Sequence, residues 1–324
     1  EAADEVHEGG FAGARWPHHR NAFARLTRQA DVIEGINITN YDRLDKFDTS
    51  IFGAVVLDES GCIKHSDTKT FKSLTEAYRD TPFKLPASAT GAYYRFAVTV
   101  HVPGVGRVRN LVTDPYSVSL SADSRRSQIL DLNDPALQPT GWMSDTPPAT
   151  VRQSTDMVIY ELHVRDFSIS DESVPAADRG KYLAFTHGQS RGMQHLKALA
   201  RAGLTDVHLL PVFDLASVPE TACLTPRPNG PANSESQQAA VKAVAAQDCF
   251  NWGYDPFHFN TPEGSYASDA QDGTRRVVEL RQMVQALHRA GLRVGMDMVY
   301  NHTSASGQHA QSVLDRVVPG YYQR

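Results

Sequence analysis

The sequence of 324 residues has few cysteines, no long apolar run and no excess of basic residues. No stretch approaches the roughly 18 apolar residues of a membrane-spanning helix, so we expect no membrane segment. The 32 basic and 37 acidic residues are interspersed and give a net charge of -5. The sequence therefore predicts no basic surface of the kind that nucleic acid would require. The chain also begins without methionine or a signal-peptide pattern, which predicts a processed protein or a fragment.

Several common catalytic and binding motifs are also absent. The sequence has neither H-E-x-x-H nor clustered Cys and His, and its 13 histidines are scattered, so no metal site is predicted from these motifs. A P-loop, a G-x-G-x-x-G element after a strand and a G-x-S-x-G serine motif are missing as well. Paired-carboxylate chemistry on a glycosidic bond remains possible, because it requires only two Asp or Glu residues on opposite sides of a sugar.

The three cysteines are Cys62, Cys223 and Cys249, and they form no C-x-x-C pair. Cys223 and Cys249 flank a segment rich in Pro, Asn, Ser and Gln. A bridge between them would close a loop that is otherwise expected to be mobile, and it would indicate an oxidising compartment. On the sequence alone, a bridge and two free thiols are equally compatible.

An antiparallel sheet is predicted before residue 120. In GAYYRFAVTVHV, apolar and polar residues alternate from Tyr94 to Val102, as expected of a half-buried strand. PGVG at 103–106 is a turn, and RVRNLV supplies the second strand of a hairpin. We assign 86–120 to this sheet domain and the Pro-rich and Asp-rich segment 121–155 to a linker, and leave 1–85 unassigned.

The pattern changes after residue 156 to alternating strands and helices. MVIYEL is a continuous apolar run, which favours a strand covered on both faces. Two helices with apolar residues at helical spacing follow, each ending in Gly-Leu before another apolar strand, DVHLLPV or RVGMDMVY. Such repeats indicate a parallel sheet, either doubly wound or a (β/α)8 barrel. Because only three strands are visible, 156–324 is expected to form a small open sheet or part of a barrel.

Polar side chains follow the carboxyl ends of these strands, where parallel α/β folds place their sites. They are Glu161, His163, Arg165, Asp166, Asp214, Asn301 and His302. Asp297 instead lies within an apolar strand pattern, where an isolated carboxylate would be costly to bury. We expect it to have a cationic or hydrogen-bond-donating partner, and a structural salt bridge to Arg is an equally good interpretation.

The segment Cys249–Ala267, CFNWGYDPFHFNTPEGSYA, is too rich in Gly and Pro for a helix or central strand, yet unusually aromatic. Within W-G-Y-D, aromatic rings can offer flat apolar faces to a pyranose while a carboxylate accepts hydrogen bonds from its hydroxyls. Gly253 permits the tight turn between them. The alternative is that these aromatics form a small core closing one end of the domain.

Four segments together resemble bacterial pullulanases and plant limit dextrinases, starch-debranching members of the alpha-amylase family. They are VIYELHVRDFS, LKALARAGLTDVHLLPVFDLASV, FNWGYDPFHFNTPEGSYA and MDMVYNHTSASG. The resemblance implies a partial (β/α)8 TIM barrel, preceded by an antiparallel carbohydrate-binding-type β-sandwich. It also implies retaining hydrolysis of α-1,6-glucosidic links in pullulan, limit dextrin, amylopectin or glycogen. Met157–Leu162, Asp206–Leu210 and Arg293–Tyr300 would be the first three strands of the barrel.

The resemblance further implies an α-glucan partner and a set of substrate-binding residues. Tyr254 matches the tyrosine that stacks on the sugar under attack, and Trp252 and Asp255 would shape the same subsite. Asp297, Asn301 and His302 match the first conserved region of the family, in which the histidine donates to the sugar. The catalytic carboxylates follow later strands in this family, so no catalytic residue is assigned, and the chain alone is expected to be inactive.

Other interpretations remain open on the sequence. A non-catalytic α-glucan-binding protein would retain the sugar platform without the chemistry, and an isoamylase or branching-type relative would differ in substrate. No cofactor is required by the resemblance, although Asn301 matches a calcium ligand of some alpha-amylases, so that calcium is possible but unassigned. The compartment is not determined, and the bacterial relatives favour export.

Overall fold

The computed structural model describes residues 90–231, 233–320 and 322, together with two short strands, β1 (Ala54–Val55) and β2 (Phe83–Lys84). These two strands pair in parallel. The described residues all belong to one structural unit, Thr39–Arg324. Apart from β1 and β2, the segment 1–85 that the sequence leaves unassigned lies outside the described residues.

A β-hairpin forms where the sequence predicts it. The elements of this region are β3 (Tyr93–Tyr94), β4 (Phe96–Val102), β5 (Gly106–Val112) and β6 (Ser127–Gln128). β4 and β5 pair antiparallel from Phe96 opposite Val112 to Val102 opposite Gly106. The predicted first strand is interrupted after Tyr94, because Tyr94 pairs with Ser127 of β6 and not with β5. In the described part of the chain these are separate two-stranded sheets, so the hairpin is confirmed while a sandwich is not established.

A parallel sheet with helical crossovers forms the remainder of the fold. The elements in chain order are β7 (Ile159–Leu162), α1 (Val164–Ser168), α2 (Arg191–Arg201), β8 (Asp206–Leu209), β9 (Phe213–Leu215), α3 (Ser236–Val244), β10 (Pro256–Pro262), α4 (Gly273–Arg289), β11 (Arg293–Met296) and α5 (Val313–Val317). The parallel sheet has the order β11-β8-β7, with Ile159, Asp206 and Arg293 in register. The described sheets are small and not closed, so they establish a mixed α/β fold without establishing a barrel.

The two predicted crossover helices have the expected end signals. The Ser190 hydroxyl accepts a hydrogen bond from the Met193 amide at the start of α2, and Asp272 accepts from the Thr274 amide at the start of α4. Gly203 and Gly291 follow the helices with φ of 110° and 89°, the left-handed conformation that favours glycine. Apolar side chains of both helices pack on the sheet in one core, which includes Met193, Leu196, Met283, Leu287, Val207 and Leu209.

The structure corrects three predictions about the strands. β8 ends at Leu209 and β11 at Met296, so the expected strands Asp206–Leu210 and Arg293–Tyr300 are too long. The apolar run Met157–Leu162 was predicted to be covered on both faces, but Val158, Ile159 and Tyr160 are 52, 46 and 41% exposed. The reason is that β7 is an edge strand in the described sheet, and of its residues only Leu162 is buried.

The aromatic segment also contains more regular structure than its Gly and Pro content predicts. Its residues Pro256–Pro262 form β10, which pairs antiparallel with β9. The pairing has register shifts on both sides of His258, which lies opposite Asp214. Such irregularities accommodate prolines, which have no amide hydrogen for the ladder, at both ends of the strand.

The segment 121–155 runs along helix α4 as a series of 3₁₀ turns. Arg281 donates hydrogen bonds to the carbonyls of Leu132 and Leu137, and its guanidinium lies 5.1 Å from the centre of the Trp142 ring. His288 Nδ1 lies 2.7 Å from a carboxylate oxygen of Asp145. These contacts fix residues 132–145 to α4.

Candidate functional site

A disulfide between Cys223 and Cys249 closes the segment that precedes the aromatic loop. Beside it, the Leu224 amide donates to the carbonyl of Gln247 and the Cys249 amide donates to the carbonyl of Leu224. Of the two possibilities that the sequence leaves open, the structure therefore has the bridge. It fixes the backbone directly before Phe250, Trp252 and Tyr254.

The aromatic residues of this loop divide into exposed and buried groups. Trp252 is 66% exposed and Tyr254 43% exposed, whereas Tyr266 is 2% exposed and packs in the main core. The interpretation of the loop as a small core therefore applies to Tyr266. Trp252 and Tyr254 instead present their rings to solvent, as a sugar-binding surface requires.

Gly253 determines how the two exposed rings are presented. Its φ is 83°, and a Cβ atom at this position would lie 3.0 Å from Cβ and 3.1 Å from the carbonyl oxygen of Pro211. Any other residue would be strained both by the left-handed backbone and by this contact. The loop thus turns sharply against the chain that follows β8, between Trp252 and Tyr254.

Tyr254 is held at both its ring and its backbone. Its hydroxyl donates a hydrogen bond to Oδ2 of Asp297 at 2.6 Å, and its carbonyl accepts a hydrogen bond of 2.8 Å from Nε2 of His302. Asn301 Oδ1 lies 3.1 Å from the other ring nitrogen of His302. The structure therefore brings together four of the six residues predicted for the site: Tyr254, Asp297, Asn301 and His302.

The partner and the location of Asp297 differ in part from the prediction. The predicted hydrogen-bond donor exists and is the Tyr254 hydroxyl. However, Asp297 is exposed and lies one residue beyond β11, so it is not a carboxylate buried within a strand. Its amide still donates to the carbonyl of Leu209, which extends the parallel ladder by one step past the strand end and carries the carboxylate to the edge of the sheet.

The electrostatics of this pair keep Tyr254 neutral. The hydrogen bond to the Asp297 carboxylate, partial burial and the negative charges of Asp297 and Glu161 raise the pKa of Tyr254 to about 12. Each of these effects disfavours the phenolate. At neutral pH the ring is consequently an uncharged platform whose hydroxyl is already engaged.

The remaining two predicted residues have other contacts. The Asp255 carboxylate accepts a hydrogen bond of 2.6 Å from the amide of Ser217, so it fastens the loop to the backbone after β9. Trp252 packs edge-to-face on Phe250, with ring centres 5.6 Å apart. The structure does not bring either side chain into contact with the Tyr254–Asp297 pair.

Phe250 is a residue of this loop that the sequence analysis did not select. Its ring stacks on His163 with centres 5.8 Å apart, and the Arg165 guanidinium lies 5.8 Å from the ring centre. His163 also contacts the carbonyl of Asn251 at 2.8 Å, and burial lowers the pKa of this histidine. The spacing of two residues between Phe250, Trp252 and Tyr254 is the sequence signal that could have included Phe250.

Asp214, which was predicted at the polar edge, instead belongs to a buried charged cluster. Its carboxylate accepts from Ser124 and lies 2.6 Å from His258, and Arg276 lies 3.5 Å away. The rest of the cluster is Glu220 and Glu263. Asp214, Glu220 and Glu263 are close enough to surround a cation, but the Arg276 guanidinium already lies among them.

The described part of the chain also has no helix of the length and apolar character needed to span a membrane.

Comparison with known proteins gives one negative and two positive findings. No protein-family model matches the chain. A pullulanase from Klebsiella pneumoniae is 44% identical over 72% of this chain and 25% of its own length. Pullulanase 1, a chloroplastic protein of Arabidopsis thaliana, is 44% identical over 72% of this chain and 25% of its own length. The Bacillus subtilis pullulanase is 35% identical over 65% of this chain.

Solved structures of pullulanases are similar as well. Apo pullulanase from Klebsiella pneumoniae superposes with a TM-score of 0.68 at 42% identity, covering 74% of this chain and 30% of that structure. The same enzyme complexed with maltotriose gives a TM-score of 0.67 and covers 27% of that structure. A Paenibacillus barengoltzii pullulanase complexed with maltohexaose and alpha-cyclodextrin gives 0.56 at 34% identity.

The chain spans about a quarter of the length of the curated relatives that it matches. Identity of this level over 72% of the chain, together with the shared fold, leaves one conclusion: the chain is a homologue of the pullulanases and corresponds to part of their length.

Proposed function

We propose that this chain is part of a starch-debranching glycoside hydrolase that cleaves α-1,6-glucosidic linkages with retention. Pullulan, limit dextrin, amylopectin and glycogen are the proposed substrates. The observation that carries the proposal is the position of Tyr254, an exposed ring fixed through its hydroxyl by Asp297 and through its carbonyl by His302. The pullulanase relatives and the maltotriose bound to one of them support an α-glucan as the ligand.

The fold assignment that accompanies this proposal is a partial (β/α)8 barrel. We assign β7, β8 and β11 to its first three strands, since they are parallel, in register and covered by α2 and α4 on one face. The exposed side chains along β7 support a further strand beside it. The hairpin β4–β5 is assigned to the end of a carbohydrate-binding-type sandwich.

In the proposed site, each residue has a separate role. The Tyr254 ring stacks on a glucose unit, with Trp252 as a neighbouring apolar surface and Asp255 holding the loop in place. Asp297 orients Tyr254, while His302 and Asn301 supply polar groups at the same sheet edge. Calcium is not needed for any of these roles.

We further propose that the chain alone binds α-glucan without hydrolysing it. Retaining hydrolysis needs a nucleophile and an acid on two carboxyl groups about 5 Å apart. The resemblance to pullulanases implies that both catalytic carboxylates follow later strands, while Asp297 holds Tyr254 and Asp255 holds the loop. Release of maltotriose from pullulan by the purified 324-residue chain would contradict this part of the proposal.

A second candidate function is a relative with a different branch preference. The glycogen operon protein GlgX homolog of Haemophilus influenzae is 31% identical over 72% of this chain, so the similarity extends to a protein named for glycogen, and an isoamylase-type or branching-type relative is the alternative. Product analysis on pullulan and on amylopectin, with the chain extended to the length of its relatives, distinguishes the two. A protein that binds both polymers at that length and cleaves neither would instead be a non-catalytic α-glucan-binding protein.

The proposed binding site is tested by calorimetric titration of the chain with maltotriose. Tyr254→Ala removes the platform and should weaken binding by at least about 10-fold, because stacking on an aromatic ring supplies much of the affinity for a sugar. Tyr116→Ala is the matched control, since Tyr116 is a 60% exposed tyrosine outside the loop. Equal affinity of the Tyr254→Ala variant and the unmodified chain would refute the site.

A further inference from the structure

The two faces of the parallel sheet differ in chemistry. Side chains alternate between the faces of a strand, and Leu162, Val207 and Leu209 point into the buried core shared with α2 and α4. The neighbours of these residues along each strand therefore point to the opposite face. On that face Glu161, His208 and Gly295 form one row across the three strands, because Glu161 and Gly295 are both in register with His208.

This polar face has three layers along the strand direction. In the first, Asp206 and Arg293 form an ion pair at 2.9 Å. In the last, Asp297 accepts the hydrogen bond of 2.6 Å from Tyr254. Glu161 and His208 form the middle layer, and no other described side chain lies within hydrogen-bond distance of the Glu161 carboxylate.

Gly295 keeps the middle layer open. A Cβ atom at this position would lie 2.5 Å from Cδ2 of His208, so the imidazole lies directly over the backbone of β11. No side chain of β11 therefore enters the space beside Glu161. The result is an exposed carboxylate one residue before the carboxyl end of β7, on the same face of the sheet as Asp297.

Glu161 also interacts electrostatically with Tyr254. Its charge is one of the groups that raise the pKa of the Tyr254 hydroxyl. Since that hydroxyl already donates to Asp297, it is not available to Glu161. In the described part of the chain no side chain donates to this carboxylate, and hydrogen bonds to ionised acceptors are stronger than those between neutral groups.

We propose that Glu161 is a glucan-binding residue, whose carboxylate accepts a hydrogen bond from a hydroxyl of the sugar that stacks on Tyr254. His208 and Gly295 shape the floor beside it. This inference rests on the proposed function, because it assumes that α-glucan occupies the face of Tyr254. It adds a residue of the first strand to a site otherwise built from the aromatic loop and the segment after β11.

Calorimetric titration of the full chain with maltotriose provides the test. Glu161→Gln, which keeps the size of the side chain and removes its charge, should weaken binding by about 10-fold. Glu172→Gln is the matched control, because Glu172 is an exposed glutamate outside the sheet, and its affinity should equal that of the unmodified chain.

A set of singly deoxygenated maltotrioses makes the test specific for a hydroxyl. If Glu161 binds one hydroxyl, the sugar lacking that hydroxyl should lose affinity for the unmodified chain and lose little more for Glu161→Gln. Additive losses for every deoxy sugar would overturn the inference. Should circular dichroism show that Glu161→Gln does not fold, the same cycle is run with Glu161→Asp, which keeps the charge and shortens the side chain.

The outcomes separate this inference from the proposed function. Binding that depends on Tyr254 and is unaffected by Glu161→Gln refutes the role of Glu161 and leaves the proposed function intact. Absence of maltotriose binding to the unmodified chain refutes the proposed glucan site, and with it the role of Glu161.

Discussion

The chain contains two groups of carboxylates that look alike in the sequence and differ in the structure. In the buried cluster of Asp214, Glu220, Glu263 and Arg276, each carboxylate accepts hydrogen bonds from the protein itself. At the candidate site, Tyr254, Asp297 and Glu161 are exposed, and among the described residues no side chain donates a hydrogen bond to Glu161. The buried carboxylates therefore have protein partners without a ligand, whereas the exposed group has hydrogen-bonding capacity to offer one.

The buried cluster joins three parts of the chain. Arg276 donates to both carboxylate oxygens of Glu220 at 3.0 and 2.9 Å and to the carbonyl of Pro262. Glu220 also accepts from the amide of Asp123, in the segment that follows the hairpin. Burial raises the pKa of Glu220 to about 7 against the opposing effect of Arg276. Such a cluster is maintained only while every charge keeps its partner.

The largest effect is expected on stability, when the buried cluster loses its arginine. Arg276→Met leaves the carboxylates of Glu220 and Asp214 without their cation and should lower the free energy of unfolding by about 3–5 kcal/mol. Arg275→Met is the matched control, because the Arg275 side chain is 58% exposed and its pairing with Asp272 is worth less than about 1 kcal/mol. Denaturant unfolding measures both variants. A loss as small as that of the control would mean that the cluster is not a stabilising element.

A smaller effect is expected at the turn of the aromatic loop. Gly253→Ala combines a left-handed backbone with the close contact to Pro211, and should cost about 2–3 kcal/mol of stability and weaken maltotriose binding. Gly104→Ala has a similar φ of 76° with nothing within 4 Å, so it should cost only about 1 kcal/mol and leave binding unchanged. Equal costs at the two glycines would show that the contact with Pro211 does not constrain the loop.

The smallest effect is expected at the exposed site, on the pKa of Tyr254. Asp297→Asn removes a negative charge beside Tyr254 and should lower the pKa of its hydroxyl from about 12 by about one pH unit, because the phenolate is then less disfavoured. Ultraviolet absorbance during a pH titration, with Tyr254→Phe as the reference, measures this change. Asp255→Asn is the control, since its carboxylate contacts the Ser217 amide, and it should leave the Tyr254 pKa unaltered.

The local elements of the fold follow closely from the sequence. The hairpin turn requires glycines with positive φ at Gly104 and Gly106, and the crossover helices begin at Ser190 and Asp272 and end before Gly203 and Gly291. These signals act over a few residues, which is why they can be recognised in isolation. The strand β10 was missed because its prolines lie at bulges that only the partner strand β9 creates.

The roles of the acidic residues are much less predictable. In the sequence Asp214 follows an apolar strand and Asp297 lies within one, yet in the structure Asp214 is completely buried and Asp297 is exposed. Glu161 was named among the polar residues at the strand ends, but it was assigned no role in the site because it matches no catalytic position of the family. In each case the deciding partners, Arg276 for Asp214 and Tyr254 for Asp297, are more than 40 residues away in the chain.

The sequence by itself determined the alternation of strands and helices, the aromatic loop and the relationship to pullulanases, because each depends on short segments with their own physical signals. Only the tertiary structure decided which carboxylates are satisfied and which are available. It placed Arg276 among the buried carboxylates. Beside Glu161 it placed Gly295, which has no side chain to fill the space. Hydrogen bonding and burial depend on distances between remote residues, and those distances exist only in the folded chain.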